Sequence, residues 1–148
     1  MEIDKNDMGH WQCSVEMPDE PYGFVYLITN NKSGKKYIGK KQMTCIRKMP
    51  PLKGKKNKRH KLVETDWRTY TGSSDELNAD IKELGEENFT FEILKYGISK
   101  SELAYLEIKM QIEEDVLLKE EFYNGIINVR IGKLKLSDET KKQITTKS

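Results

Sequence analysis

Two tyrosines, a glycine, a lysine and an arginine stand in this chain at spacings that invite a chemical reading. Tyr26 closes the triplet Phe24-Val25-Tyr26, and Tyr37 opens Tyr37-Ile38-Gly39. Lys40 follows directly, and Arg47 comes eight residues after the glycine. A phenol normally titrates at about pH 10, so it accepts a proton from water only where a nearby cation favours the phenolate. A guanidinium presents a planar fork that matches a phosphate and neutralises charge developing on it. Gly39 permits close backbone approach. In that order the residues read as the start of a phosphodiester-cleaving site.

Later positions offer the missing parts. Glu107 falls four residues after Leu103 and three before Met110, at the border of a predicted apolar helix stripe. A carboxylate there is costly unless it pairs with a cation or binds a metal. Glu114 projects at a similar angle and is its rival. Asn124, in Tyr123-Asn124-Gly125, is ordinarily a turn residue. Each residue also has a plainer reading: rim tyrosines, a surface arginine, a salt-bridged glutamate. Zinc is not supported, because His10-x-x-Cys13 and the distant pair Cys45 and His60 lack compact ligand spacing. The two cysteines read as free thiols of a reducing compartment.

The elements that must position these groups follow from periodicity. Residues 22–29 read as a strand, apolar on both faces and therefore covered on both. Residues 30–34 carry turn chemistry, and 35–39 return as a second strand. Residues 41–68 are Lys-rich and broken by Pro50-Pro51, with a short helix expected before the prolines and an exposed loop after them. Ser73-x-x-Glu76 predicts a capping box for a helix striped by Leu77, Ile81 and Leu84 and ended by Gly85. Residues 88–96 alternate as a third strand. Ser99-x-x-Glu102 opens a long helix to about residue 119, striped by Leu103, Leu106, Met110 and Leu117. Residues 126–131 read as extended, and Ser137 caps a last short helix. Residues 1–21 show no period and read as an irregular arm.

Charge is distributed unevenly. The chain has 148 residues and a net charge of +2, yet residues 21–63 hold 13 of its 26 Lys and Arg and no Asp or Glu. Such a concentrated cationic segment is the footprint expected for a phosphate backbone. Lys41, Lys48, Lys53, Lys55, Lys56, Lys58, Arg59 and Lys61 would track DNA. No apolar run approaches the ~20 residues that span a bilayer. The N-terminus is too polar for a signal peptide, so no membrane partner and a cytoplasmic location are expected.

Taken together, these residues resemble the GIY-YIG nuclease family. Phe24-Val25-Tyr26 stands for its first triplet, with Phe in place of Gly. Tyr37-Ile38-Gly39 is its second triplet, ten residues on, and Lys40 and Arg47 fit its cationic positions. Glu107 fits its metal-binding glutamate, and Asn124 its terminal asparagine, with Asn128 the alternative. A His or Tyr frequent one turn after the arginine is Pro51 here, leaving His60 or Tyr70 to substitute. The resemblance covers residues 22–131, with a basic insertion at 48–66, and Trp67-Arg-Thr-Tyr70-Thr-Gly-Ser-Ser74 is similar to phage-borne, homing-type members. In the tail, 132–148, the segment from Leu136 to Ile144 resembles a modular DNA-binding motif in which Lys141 and Lys142 contact phosphates.

The resemblance implies an α/β (α+β) fold, a three-stranded antiparallel sheet flanked by helices. It implies a DNA endonuclease using Mg²⁺, with Mn²⁺ as the alternative, in the host cytoplasm if phage-encoded. Glu107 would hold the metal, and Tyr37 or Tyr26 would be the base. Arg47 and Lys40 would neutralise charge, and Asn124 would position Glu107 or bound water. The competing classes are an inert nucleic-acid-binding module of the same fold and a basic RNA-binding protein. Cutting both strands would take a dimer or sequential nicks.

Overall fold

A strand that is apolar on both faces must be covered on both, and this requirement organises the molecule. The computed structural model describes residues 3–57, 59–127, 132–134 and 136–145. In it β1 (Gln12–Cys13), β2 (Gly23–Asn30), β3 (Lys36–Gln42) and β6 (Phe89–Gly97) form one sheet, with β4 (Thr44–Met49) and β5 (Arg59–Glu64) lying outside it. Its order is β1-β6-β2-β3, and almost every residue of β2 is buried. β2 runs antiparallel to both β3 and β6, whereas β1 pairs with β6 in parallel. The α+β class agrees with expectation. The sheet nevertheless has four strands where three were expected, because a two-residue strand from the N-terminal segment joins its far edge.

That segment is part of the core. Ile3, Trp11 and Met17 are buried against Phe24, Tyr26, Ile28, Phe91 and Trp67 on one face of the sheet. α1 (Asp75–Leu84) covers the same face through Leu77, Ile81 and Leu84. The other face takes α2 (Lys100–Glu113), whose Leu103, Leu106 and Met110 meet Val25 and Ile38. α2 ends earlier than residue 119. Asp115 takes a left-handed conformation (φ 52°), Val116 enters the core, and Leu117 is left half exposed. Asp tolerates that backbone better than most residues, and it is what the apolar periodicity does not register. Residues 126 and 127 are irregular, and the rest of the expected extended segment lies outside the described residues.

No helix precedes the prolines. Residues 44–49 form β4 (Thr44–Met49), which pairs with β5 (Arg59–Glu64) in an antiparallel ribbon. Pro50-Pro51 sit at its turn, where a missing N–H costs no ladder bond. The capping box also shifts by one residue. Ser74, not Ser73, accepts the Leu77 N–H, and Glu76 pairs instead with Lys35 Nζ at 2.8 Å. No helix among the described residues is long and apolar enough to cross a membrane.

α3 (Asp138–Thr145) is docked rather than frayed. Gln143 bridges both backbone groups of Tyr96, at 2.9 Å each. The Glu102 carboxylate, 3% exposed, accepts from the Ser137 N–H and from the hydroxyls of Ser137 and Thr140 (3.3 and 2.9 Å). Replacing Glu102 by Ala orphans these donors and should cost about 2–4 kcal/mol. Denaturant unfolding of Glu102→Ala against Glu102→Gln, which keeps one acceptor, checks this: an unchanged midpoint in both would contradict the docking role.

Candidate active site

β3 is an edge strand, so its outward backbone groups need partners from elsewhere. They come at alternate residues, as the period of a strand requires. At Lys36 the N–H donates to Glu121 O (2.8 Å) and the carbonyl accepts from the Tyr123 N–H (2.7 Å). At Ile38 the N–H donates to Asn124 Oδ1 (3.1 Å), and the carbonyl accepts from Asn124 Nδ2 (2.8 Å) and Gln111 Nε2 (3.0 Å). At Lys40 the N–H favours the charged form of the Glu107 carboxylate, whose Oε1 lies 3.9 Å from Lys40 Nζ. Asn124 therefore acts as a side-chain substitute for a neighbouring strand, and Glu107 is held on the next rung. Tyr123 fixes this arrangement: its hydroxyl donates to Asp80 (2.6 Å) and accepts from Asn30 (3.0 Å), and burial with Asp80 pushes the phenol up to about 12.

The tyrosines approach from the opposite face. Tyr26 and Gly39 are direct cross-strand partners. A Cβ at position 39 would collide with the Tyr26 hydroxyl and stand 2.7 Å from Cζ and 3.0 Å from Tyr37 Cε2. Gly72, at φ +89°, lies over the same hydroxyl; a Cβ there would be 3.3 Å from it. Tyr26 is thus enclosed between two glycines and is 1% exposed. Tyr37 is half-buried and shares a hydrogen bond of 3.1 Å with Ser73 Oγ. Tyr70 completes a cluster, its ring 6.1 Å from that of Tyr26, the same separation as Tyr26 to Tyr37. His10 Nε2 donates to the Tyr70 carbonyl at 2.9 Å and tethers that residue to the N-terminal segment. Phe24, standing where the family has glycine, is fully buried against Trp11, Trp67 and Tyr96. Its substitution enlarges the core without entering the cluster of hydroxyls.

The electrostatics tie the two faces together. Burial pushes the phenols of Tyr26, Tyr37 and Tyr70 above their ordinary value, and the Glu107 charge raises all three further. Ser73 opposes the shift at Tyr37 and Tyr70 by hydrogen bonding. Burial also raises the Glu107 carboxyl, while Lys40, with Nζ 3.9 Å away, and the Lys40 N–H pull it back. Glu107 is 17% exposed and so is accessible from solvent. Glu114, its rival, lies beyond α2 as the C-terminal cap and shows no comparable setting.

Other expected residues fall elsewhere. Arg47 is exposed on β4, and no hydrogen bond or ion pair among the described residues joins it to the cluster. Lys41 is drawn inward, 2.7 Å from Asp66 and 4.2 Å over the Tyr70 ring. Lys48, Arg59 and Lys61 are exposed on the ribbon, and Lys53, Lys55 and Lys56 on its tip. His60 is also exposed there, opposite Lys48, so Tyr70 and not His60 joins the phenols. Lys141 is exposed on α3; Lys58, Asn128 and the Lys142 side chain lie outside what is described. Ser73 was missed because the adjacent serines made it look like a helix cap. The signal that could have found it is Ser74, an equally good cap that leaves Ser73 unused.

No three His, Cys, Asp or Glu side chains converge as a metal cage among the described residues. Mg²⁺ does not need one, since it keeps several waters and takes one or two carboxylates plus phosphate oxygens. A partly buried, solvent-accessible carboxylate such as Glu107 fits that donor set.

The chain thus forms an α+β domain with two phenols over a cross-strand glycine and a carboxylate at the sheet edge. A family described as "Putative endonuclease segE, GIY-YIG domain" matches residues 9–127, about four-fifths of the chain. The chain belongs to this GIY-YIG family and carries its nuclease domain. No curated protein and no solved structure matches it.

The apposition of Tyr26 and Gly39 makes a prediction. Gly39→Ala should destabilise by about 1–3 kcal/mol through overpacking. Tyr26→Phe, which removes the colliding hydroxyl, should recover part of that loss in the double variant. Thermal unfolding of the four proteins measures the coupling; strict additivity would mean the two residues do not press on one another.

Proposed function

We propose that the protein is a divalent-metal-dependent DNA endonuclease whose reacting phosphate sits over the outer edge of β3, between Glu107 and the tyrosines. The single observation carrying this reading is the convergence at Gly39–Lys40. A carboxylate from one face and phenols from the other share one electrostatic environment there.

Glu107 would hold Mg²⁺ or Mn²⁺. Bound there, the ion would supply Lewis-acid stabilisation of the phosphate and offset the charge that raises the phenols. Tyr37 is the better candidate for the base. Its hydroxyl reaches solvent, and Ser73 hydrogen bonding favours its ionised form. Tyr26 is sealed from bulk water and would orient the attacking water or Tyr37. Lys40 lies beside Glu107 and would neutralise a phosphate oxygen. Arg47 would meet the phosphate as DNA settles against the ribbon, where its side chain is exposed. Asn124 would serve the site by holding Ile38 in register rather than by touching substrate.

Cleavage of supercoiled plasmid and of varied linear duplexes tests the reading. Glu107→Ala and Arg47→Ala should each lower the rate by about 10²-fold or more. Wild type that leaves every DNA intact with Mg²⁺ and Mn²⁺ would remove the nuclease assignment in favour of an inert binding module. Because the Tyr37 phenol is raised, its basic form is scarce below its pKa and grows tenfold per pH unit. The cleavage rate should therefore climb between about pH 6 and 9, and Tyr37→Phe should abolish the climb. A pH-independent rate in wild type would count against a tyrosine base.

A further inference from the structure

We propose that the β4–β5 ribbon enters the major groove of duplex DNA and reads base edges there, a specificity device resting on the nuclease reading above. The first observation is exposure. From Ile46 to Lys48 and from Arg59 to Leu62 both strands are exposed, although consecutive side chains point to opposite faces. A two-stranded ribbon bare on both faces is marginal by itself, so its persistence asks for a partner.

The second observation is charge. Arg47 stands directly opposite Lys61, and Lys48 opposite His60. Arg47 and Lys61 are like charges in a direct cross-strand pair, an arrangement that is destabilising and that an anion lying across it would relieve. Cations occur on both faces, which suits insertion between two phosphate walls better than contact with one strand. Ile46 and Leu62, also a direct pair, border a cleft of about 550 Å³ with Tyr22 and Ile98. By alternation the face bearing Arg47, Arg59 and Lys61 is the one turned away from that cleft.

The third is shape. A B-form major groove, about 12 Å wide and about 8.5 Å deep, admits a two-stranded ribbon. The strand β4 has six residues, a span of ~20 Å, so its outer half can reach the groove floor while its root stays at the backbone. The root is anchored: Met43 is fully buried, and Thr65 bonds to the carbonyls of Gln42 (2.6 Å) and Met43 (2.9 Å). The tip is closed by Arg59 Nε on Pro50 O (3.2 Å) and the Lys55 N–H on Leu52 O (2.8 Å). Other nucleic acids fit less well. Residues 44–64 contain no Phe, Tyr or Trp, so no stacking platform for single strands is present. The major groove of A-form RNA is too deep and narrow for side chains to read.

The test uses the full chain with EDTA, so that binding is read without cleavage. Affinities are measured for a random duplex pool, for the same pool methylated at guanine N7, and for double-stranded RNA. The expected result is a loss of about tenfold or more at discrete methylated positions, as for a broken base-edge contact, with RNA bound more weakly. An Arg59→Ala/His60→Ala/Lys61→Ala variant should lose that positional preference. Equal affinity for methylated and unmethylated pools overturns groove entry, whether or not the variant folds its ribbon. So does equal affinity for RNA. A separate plasmid assay with Mg²⁺ keeps the two readings apart. Cleavage without the N7 signal removes the ribbon proposal alone, and the N7 signal without cleavage removes the nuclease reading alone.

Discussion

The structure depends on how one exposed strand edge is satisfied. A sheet edge must place its outward N–H and C=O groups somewhere, and β3 does so through side chains and a short return of the chain. Because the outward groups recur every second residue, the partners are set in register: the 121–123 backbone, then Asn124 and Gln111, then Glu107. The candidate catalytic carboxylate is thereby positioned by the same rule that completes the sheet. The register of β3 against β2 does the rest, since it puts Gly39 opposite Tyr26 and leaves a gap where a side chain would otherwise stand.

Much of this was legible in the chain. The period-two runs of β2 and β6, the apolar stripe of α1 and the Ser99 cap of α2 each follow a local rule. The family resemblance singled out Tyr26, Tyr37, Lys40 and Glu107, and all four fall at the Gly39–Lys40 edge. What escaped depends on contacts distant in sequence. β1 is two residues long and has no period to detect. His10 gains its place through Phe91, Glu86, Arg68 and Tyr70, all distant in sequence.

The ribbon shows a different limit. Its residues have low apolar content and contain both prolines of the turn, so composition alone suggests an irregular loop. Strand pairing there comes from backbone hydrogen bonding rather than from side chains seeking a core. The same feature separates Arg47 from the residues with which its sequence spacing groups it. Spacing along a chain records order, and a turn of the backbone can still project one member outward.

The rungs of β3 also impose an order in time. Both phenols, Lys40 and Arg47 precede residue 50, whereas Glu107, Gln111 and Asn124 are made after residue 100. A chain made only as far as Arg47 therefore holds the phenols and the cations without the carboxylate, and its β3 edge still lacks its side-chain partners. The candidate site can therefore assemble only once residue 124 has been made, because its edge strand is completed by residues that follow it by more than sixty positions.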